Sequence, residues 1–433
     1  MLQEVQMLEA SLLLGSVLLC VIWHPFGLNV AWPATVGALV AILTGLVPLQ
    51  TLRTIFGDTW DAAATLIALF LLSEALDSNG FFTWAALHLA RFARGSGWKL
   101  YILILVLTTV TTALLANDGA ILILTPIFAR LLVKIYSKES LWLPFVFAAG
   151  FLADATSAIF IPSNLTNIIL ADANHLNFTE FAKWMLLPTL FAAIAAGVCF
   201  GLRFWKLLGE KYDPHVLEVP ESALRDRPVF WISWGALLVL ILGYIIGGQL
   251  HLPISYIAGP IALGMMLLIQ ARKINSAKKI LLAAPWSILF YALGMFVMIT
   301  AAFYTNVLSF LTVPLRSFLA PGARIMGAIK AGSTLALLSA GANNLPATLI
   351  GVLVLGLVHV PKALSIYAIT LGVDIGPKFT PYGSLATLLW LGILARRGIR
   401  ISWRKYFFEN WWVALITLVA SFTGLFITNA LVR

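Results

Sequence analysis

Charged side chains are scarce in this chain. Asp, Glu, Lys and Arg make up 11% of its 433 residues, against roughly 25% in soluble domains. So few charges cannot cover a water-soluble globule of this size, and a 61% hydrophobic composition excludes intrinsic disorder as well. Cysteine is nearly absent. Cys20 and Cys199 both lie in apolar runs, which excludes a disulfide framework or a thiol-rich metal site. The six histidines are scattered without metal-binding spacing, so no metal and no cofactor is expected. There is no GxxxxGK[ST] loop and no GxGxxG opening a soluble nucleotide domain. The first ten residues contain Glu4 and Glu9 but no Lys or Arg, so no cleavable signal peptide is expected. A net charge of +10 would point to nucleic acid in a soluble protein. In so apolar a chain it orients loops at a membrane instead, and no nucleic-acid partner is expected.

What the chain does have is apolar length, with a mean hydropathy of +0.96. A bilayer-crossing helix takes about 20 apolar residues. Such segments lie near 8–24, 30–48, 60–77 and 182–205 in the first half, and near 229–250, 254–271, 281–299 and 411–431 in the second. Weaker stretches fall at 80–95 and 303–319. Each half also holds two interrupted runs. The run 100–135 breaks at Asn117-Asp118-Gly119, and 141–170 breaks around Ser157–Asn164. The run 324–358 breaks at Asn343-Asn344-Leu345-Pro346, and 361–395 breaks at Gly376–Gly383. Asp154 precedes Asn164 by the same interval as Asp374 precedes Ser384. Paired interrupted segments in matching places are the sequence signature of an inverted-repeat transporter. The expected fold is an all-α polytopic membrane protein with about ten transmembrane helices, two re-entrant hairpins and helices interrupted at the midplane. Residues 1–205 form the first repeat, 206–228 a proline-containing cytoplasmic linker, and 229–433 the second repeat.

Charge tests this layout. With each hairpin entering and leaving on one side, each half has an odd number of crossings, which inverts the halves. If 78–140, 206–228, 271–280 and 396–410 are cytoplasmic, those regions with Arg203 hold 20 of the 28 basic residues. Seven fall outside (Arg53, Lys183, Arg316, Arg324, Lys330, Lys362 and Arg433), and Lys378 falls in a break. The bias supports that orientation, with both termini outside. Hairpins that crossed fully would keep the same parity, so charge alone leaves re-entrance open. Basic runs such as Arg272–Lys279 read as topology signals in contact with anionic lipid.

Broken backbone at membrane depth is tolerated only where it is buried in protein or lines a wet cavity. The four breaks are therefore expected to converge on one site, where unpaired helix ends bind small polar solutes. Asn117 and Asp118 mark one tip, Asn343 and Asn344 the other. Ser163, Asn164 and Asn167 line one interrupted helix, and Thr380, Ser384 and Thr387 line the other. Amides and hydroxyls of this kind fit a small hydroxylated or hydrated solute. Ionisable groups inside a bilayer point to function, which singles out Asp118, Asp154, Asp374 and Lys378. A lone buried carboxyl favours its neutral form and one beside a lysine its charged form. Asp118 or Asp154, if unpaired, is thus a proton carrier. Helical i,i+4 spacing would put Asp374 and Lys378 on one face as a neutral pair, in a functional or a purely structural role. The tips also read as ordinary capped turns. Glu74 and Asp77 read as interfacial. So does His24, while His88, His175, His215, His251 and His359 read as solvated or interfacial. An aspartyl dyad of Asp154 and Asp374 would make a membrane protease, but Leu371-Gly372-Val373-Asp374 lacks the Gly-x-Gly-Asp signature. A passive channel also fits inverted repeats, but intramembrane carboxylates at helix breaks favour a coupled carrier.

These motifs carry a resemblance. Ala116-Asn117-Asp118-Gly119-Ala120 with Leu124-Thr125-Pro126-Ile127, Gly150-Phe151-Leu152-Ala153-Asp154, Ser163-Asn164-Leu165-Thr166-Asn167-Ile168 and Ala342-Asn343-Asn344-Leu345-Pro346 resemble bacterial arsenite/antimonite efflux permeases. These form the ArsB family of the ion transporter superfamily. The stretch from Asp374 to Trp390 is the most specific, and the resemblance covers nearly the whole chain, with Leu345 and Tyr382 as small apolar departures. It implies efflux of arsenite and antimonite, the trivalent hydroxides, across the bacterial inner membrane, driven by proton influx. In some members a soluble ATPase docks on the cytoplasmic face. Carried onto this sequence, it implies oxyacid contacts from Asn117, Ser163, Asn164, Asn167, Asn343, Asn344, Thr380 and Ser384. Proton handling falls to Asp118, Asp154 and Asp374, and charge balance to Lys378. The chain is expected not to be an enzyme. The alternatives on the same fold are a sodium/proton antiporter and a carboxylate carrier.

Overall fold

The computed structural model describes residues 2–23, 29–320, 324–358 and 363–432. The expectations for His24, His359, Lys362 and Arg433 lie outside the described residues. The rest is helical throughout, and among the described residues the only bridge between extended segments is Ser96 with Lys211.

In the first half the helices are α1 Leu2–Trp23, α2 Ala31–Leu43, α3 Leu49–Ser78, α4 Phe81–Phe92, α5 Gly97–Leu115, α6 Asn117–Ile135, α7 Glu139–Ala155, α8 Leu165–Ala173 and α9 Phe178–Arg203, with a short α10 at Trp205–Leu208. The second half runs α11 Arg227–Gln249, α12 Ser255–Ala271, α13 Ala277–Ala283, α14 Trp286–Tyr304, α15 Ser309–Phe318, α16 Arg324–Ala342, α17 Asn344–Gly356, α18 Ala363–Ile375, α19 Leu385–Arg396 and α20 Trp403–Val432. This is the architecture of a multi-pass α-helical membrane protein. Among the described residues nine helices are long and apolar enough to cross a membrane. They do not map one to one onto ten expected crossings. The first arms of the two interrupted pairs, Gly97–Leu115 and Ile325–Ala342, are among them, whereas α2 and α12 fall short at 13 and 17 residues.

Local chemistry explains the boundaries. Helices α5, α9 and α11 open on Ser96, Asn177 and Asp226, whose side chains accept from Lys99, Glu180 and Val229 N–H groups, satisfying donors that the helix leaves bare. The packing exchanges partners between the halves. Helix α3 packs on α12 and α14 on α2, α8 packs on α17 and α19 on α6, and α9 lies along α20. Helices α16 and α18 meet at backbone distance, because a Cβ at Gly372 would sit 2.1 Å from the Gly332 carbonyl oxygen. Small residues let membrane helices approach in this way.

The basic segments gather at one end. Arg91 donates to the Leu217 carbonyl at 2.7 Å, Lys134 lies 2.7 Å from Glu218, Arg225 donates to Ile274 at 3.0 Å, and Arg203 pairs with Glu409 at 3.1 Å. Tyr212 donates its hydroxyl to the Ala90 carbonyl at 2.5 Å, and burial pushes that phenol up to about 12. These bonds fasten the segments after α3, α9, α12 and α19 into one face.

Candidate functional site

Both helix pairs turn at a residue with left-handed backbone. Ala116 has φ 64°, ψ 152°, and Asn343 has φ 84°, ψ 153°. A side chain in this region costs about 1–3 kcal/mol and persists where the surroundings impose it. At the second tip, Asn343 accepts from the Leu345 N–H and donates to the Tyr382 carbonyl, while the Asn344 N–H donates to Gly383. The tip is thereby tied to the second broken helix. At the first tip, Asn117 accepts from its neighbour's N–H and donates from Nδ2 to Asp154 Oδ1 at 2.8 Å.

Each broken helix stops one residue after its aspartate and restarts after a short 3-10 passage. Helix α7 ends at Ala155, followed by turns at Ser157–Ile159 and Ile161–Ser163; α18 ends at Ile375, followed by Gly376–Phe379. Asn164 caps α8 by accepting from Thr166, and Ser384 caps α19 by accepting from Thr387. The two aspartates then cross over. Asp374, fully buried, receives Asn164 Nδ2 at 3.1 Å and Thr166 Oγ1 at 2.7 Å on its Oδ1. Asp154, 2% exposed, receives Thr387 Oγ1 at 3.2 Å on Oδ2, and Lys378 Nζ lies 2.5 Å from that same oxygen. Each carboxyl thus docks on the first turn of the other half's restarted helix.

One expectation needs correction. Lys378 does not pair with Asp374 by i,i+4 spacing, because α18 unwinds to a 3-10 turn right after Asp374 and the helical face ends there. Its ammonium instead reaches Asp154, Thr387 Oγ1 at 2.9 Å and the Gly150 carbonyl at 3.2 Å. All three N–H groups are engaged. A buried ammonium in this state is balanced in both charge and hydrogen bonds.

The other expected contacts are placed as follows. Ser163 donates to Ala113, Asn167 to Ser157 and Phe160, and Thr380 to Ala340. These side chains satisfy the broken backbone and are buried or half-buried. Free capacity remains at Asp374 Oδ2 and Asn167 Oδ1, both buried without a partner. Asp118 is buried in the first turn of α6. Ser157, Thr166 and Gly150 stand in the sequence motifs without an assigned role. Ser157 receives Asn164 Nδ2 at 2.9 Å and donates to the Asp154 carbonyl at 2.6 Å, linking the two aspartates' surroundings. Gly150 lets the Trp390 indole close in, since a Cβ there would lie 2.6 Å from Nε1. Ser157 sits three residues after Asp154, a signal that was available; the role of Gly150 is a long-range contact with none.

A cavity of about 990 Å³ opens at the end away from the basic face, lined by Asp61, His175, His251, Phe296, the break residue Ile161 and Ile169 of α8. Asp118, Asp154, Asp374 and Lys378 are not among the residues that line it. His88, His175, His215 and His251 are exposed, and Glu74 and Asp77 half-buried at the end of α3. Among the described residues no cluster of three or more His, Cys, Asp or Glu is placed to hold a metal. Asp154 faces an ammonium, not the second carboxyl a protease dyad requires.

A family model described as arsenical pump membrane protein (ArsB) matches residues 9–429. The arsenical pump membrane protein of Escherichia coli strain K12 is 37% identical over 404 residues, 93% of this chain and 94% of its own. That of Yersinia enterocolitica is 39% identical over 408 residues, 92% and 94% respectively. A putative arsenical pump membrane protein of Bacillus subtilis strain 168 is 29% identical over 430 residues, 93% and 95%.

Proposed function

The chain belongs to the arsenical pump membrane protein family, and from that premise we propose that it exports arsenite and antimonite from the cytoplasm across the bacterial inner membrane in exchange for protons. It is a multi-pass membrane transport protein, not an enzyme. The basic face is the cytoplasmic one in this reading. Residues 1–205 and 229–433 act as inverted halves joined by the 206–228 linker, and α5–α6 and α16–α17 are re-entrant hairpins. The matching order of elements and the exchanged packing of the two halves support it. A soluble arsenite-stimulated ATPase would dock on the basic face.

The observation that carries the reading is the crossed aspartate cluster, where tips and breaks share one buried set of hydrogen bonds. Trivalent arsenic hydroxide is neutral near neutral pH and offers only hydroxyls. The amides and hydroxyls of Asn117, Ser163, Asn164, Asn167, Asn343, Asn344, Thr380 and Ser384 can exchange their bonds to backbone for bonds to such a solute when the two halves separate. Asp118, Asp154 and Asp374 form the carboxyl set within which proton coupling takes place, and Lys378 balances charge. A three-thiolate arsenic site is excluded, since Cys20 and Cys199 are the only thiols of the chain. Rocking or elevator movement of the hairpin-bearing part gives alternating access.

The direct test is disruption of the coding sequence in its host. Arsenite and antimonite sensitivity, restored by the intact chain, is the expected result. Unchanged tolerance, with altered sodium or carboxylate handling, would transfer the protein to one of the other carriers of this fold.

A further inference from the structure

A separation of 220 residues relates Asp154 to Asp374, Asn164 to Ser384, Asn167 to Thr387 and Ala158 to Lys378. Both aspartates end a helix before a break and both face the first turn of the other half's restarted helix. The helix-end fields therefore act on them alike, and any difference in their chemistry comes from the substituted positions.

The differences point one way. Asp154 has donors on both oxygens, from Asn117 on Oδ1 and from Thr387 and Lys378 on Oδ2. Asp374 has both its donors on Oδ1, and its buried Oδ2 has none. Where Asp154 meets Lys378, the equivalent place beside Asp374 holds the fully buried Ala158. Both carboxyls meet a donating threonine hydroxyl, Thr387 on Asp154 Oδ2 and Thr166 on Asp374 Oδ1, and the Asn167 amide that also approaches Asp374 spends its N–H groups on Ser157 and Phe160. A buried Oδ2 with neither a donor nor a cation is satisfied when the carboxyl carries a hydrogen, because the protonated oxygen becomes a donor itself.

Among the described residues no ion pair or hydrogen bond places a cation on Asp374, and of the basic residues of α20, Arg404 lies over the Phe408 ring while Lys405 is exposed. Helix α7 and the 3-10 turn before Phe379 contribute Asp154 and Lys378, which hold each other. Helix α20 contributes Tyr406, directed at Lys378 and Asp154. Asp172 sits at the far end of α8 among the cavity residues. Lys330 of α16 lies over the Phe318 ring. Helix α17 carries no ionisable residue.

We propose that the two related carboxyls divide the work: Asp374 exchanges the coupled proton, while Asp154 stays ionised against Lys378 through the cycle. The assignment rests on the proton-coupled reading above. Asp374 takes one proton from outside and releases it to the cytoplasm, while the neutral oxyacid leaves by the opposite route. Each cycle moves one positive charge inward and leaves the Asp154–Lys378 pair unchanged.

The test uses the full chain in proteoliposomes with arsenite as the probe. Counterflow without a pH gradient reports binding and movement; accumulation on an imposed gradient reports coupling. For one proton per oxyacid, the native chain accumulates about tenfold per pH unit. D374N is expected to lose that accumulation. A158K, which offers Asp374 an ammonium like the one facing Asp154, is expected to keep counterflow and lose accumulation. Infrared spectra supply a readout independent of transport. The carbonyl absorption of protonated carboxyls should lose a component in D374N and be unchanged in D154N. Gradient-driven accumulation by D374N, or a band lost in D154N but not in D374N, overturns the assignment. If a variant also loses counterflow, the infrared band decides. A native chain that shows counterflow but no response to the gradient would instead remove the proton-coupled reading itself.

Discussion

Replacing Lys378 with Met leaves the Asp154 carboxylate without the ammonium 2.5 Å from its Oδ2, at a place where the two side chains are 2% and 1% exposed. Severing a buried pair from one side costs about 3–5 kcal/mol. The variant has one escape, which is to fold with Asp154 protonated. Against an ordinary carboxyl pKa of about 3.9, holding that proton at pH 7 costs about 4 kcal/mol, at about 1.36 kcal/mol per pH unit. At about pH 5.5 the same step costs about 2 kcal/mol. The folded variant then binds more protons than the unfolded chain, so its stability falls as pH rises. K378M should be destabilised by about 4 kcal/mol at pH 7 and by about half that at pH 5.5. K378M/D154N, which removes the charge altogether, should recover most of the loss. Thermal unfolding of the full-length protein in detergent at both pH values, for the four members of the cycle, measures this. A K378M deficit independent of pH, or a double variant no more stable than K378M, would refute the ion pair as described.

Three further outcomes follow from the geometry. Gly150→Ala places a Cβ against Trp390 Nε1 and disturbs the carbonyl that holds Lys378. It should cost about 1–3 kcal/mol and most of the transport, and a normal Tm with normal transport would contradict it. Ala116→Gly removes a side chain from backbone that only glycine adopts freely, so Tm should rise; a fall would show that the tip is not strained. Glu218→Gln at the exposed pair with Lys134 should leave Tm unchanged within error. The hydrogen bond and charge of Lys134 hold the Glu218 carboxyl below the usual carboxylate range. Whatever stability the pair contributes is therefore present at neutral pH and lost as pH falls through that lowered value; a stabilisation that grows on acidification would contradict the pairing.

Much of the architecture was legible because membrane helices announce themselves by length and their breaks by polarity. Asn117, Asn164, Asn343 and Ser384 each lie at a tip or helix start where the sequence placed an interruption. Asp154 and Asp374 were legible as costly charges in apolar runs. Their partners were not. Spacing arguments reach one or two helical turns, and only while the helix continues. The Lys378–Asp154 pair and the Thr166–Asp374 bond join residues more than 200 positions apart. Lys378 was misassigned because i,i+4 geometry was applied across a helix end. The roles of the amides were blurred for a related reason. Composition showed polar groups in the breaks, but not that Asn117 serves Asp154 and Asn343 serves the Tyr382 carbonyl.

Arsenite uptake by everted membrane vesicles, with the pH gradient imposed and then dissipated, probes the coupling of this buried aspartate cluster to export most directly. Accumulation should follow the gradient, collapse when the gradient is dissipated, and disappear in D374N. Uptake that proceeds equally without a gradient would contradict proton exchange through the crossed aspartates.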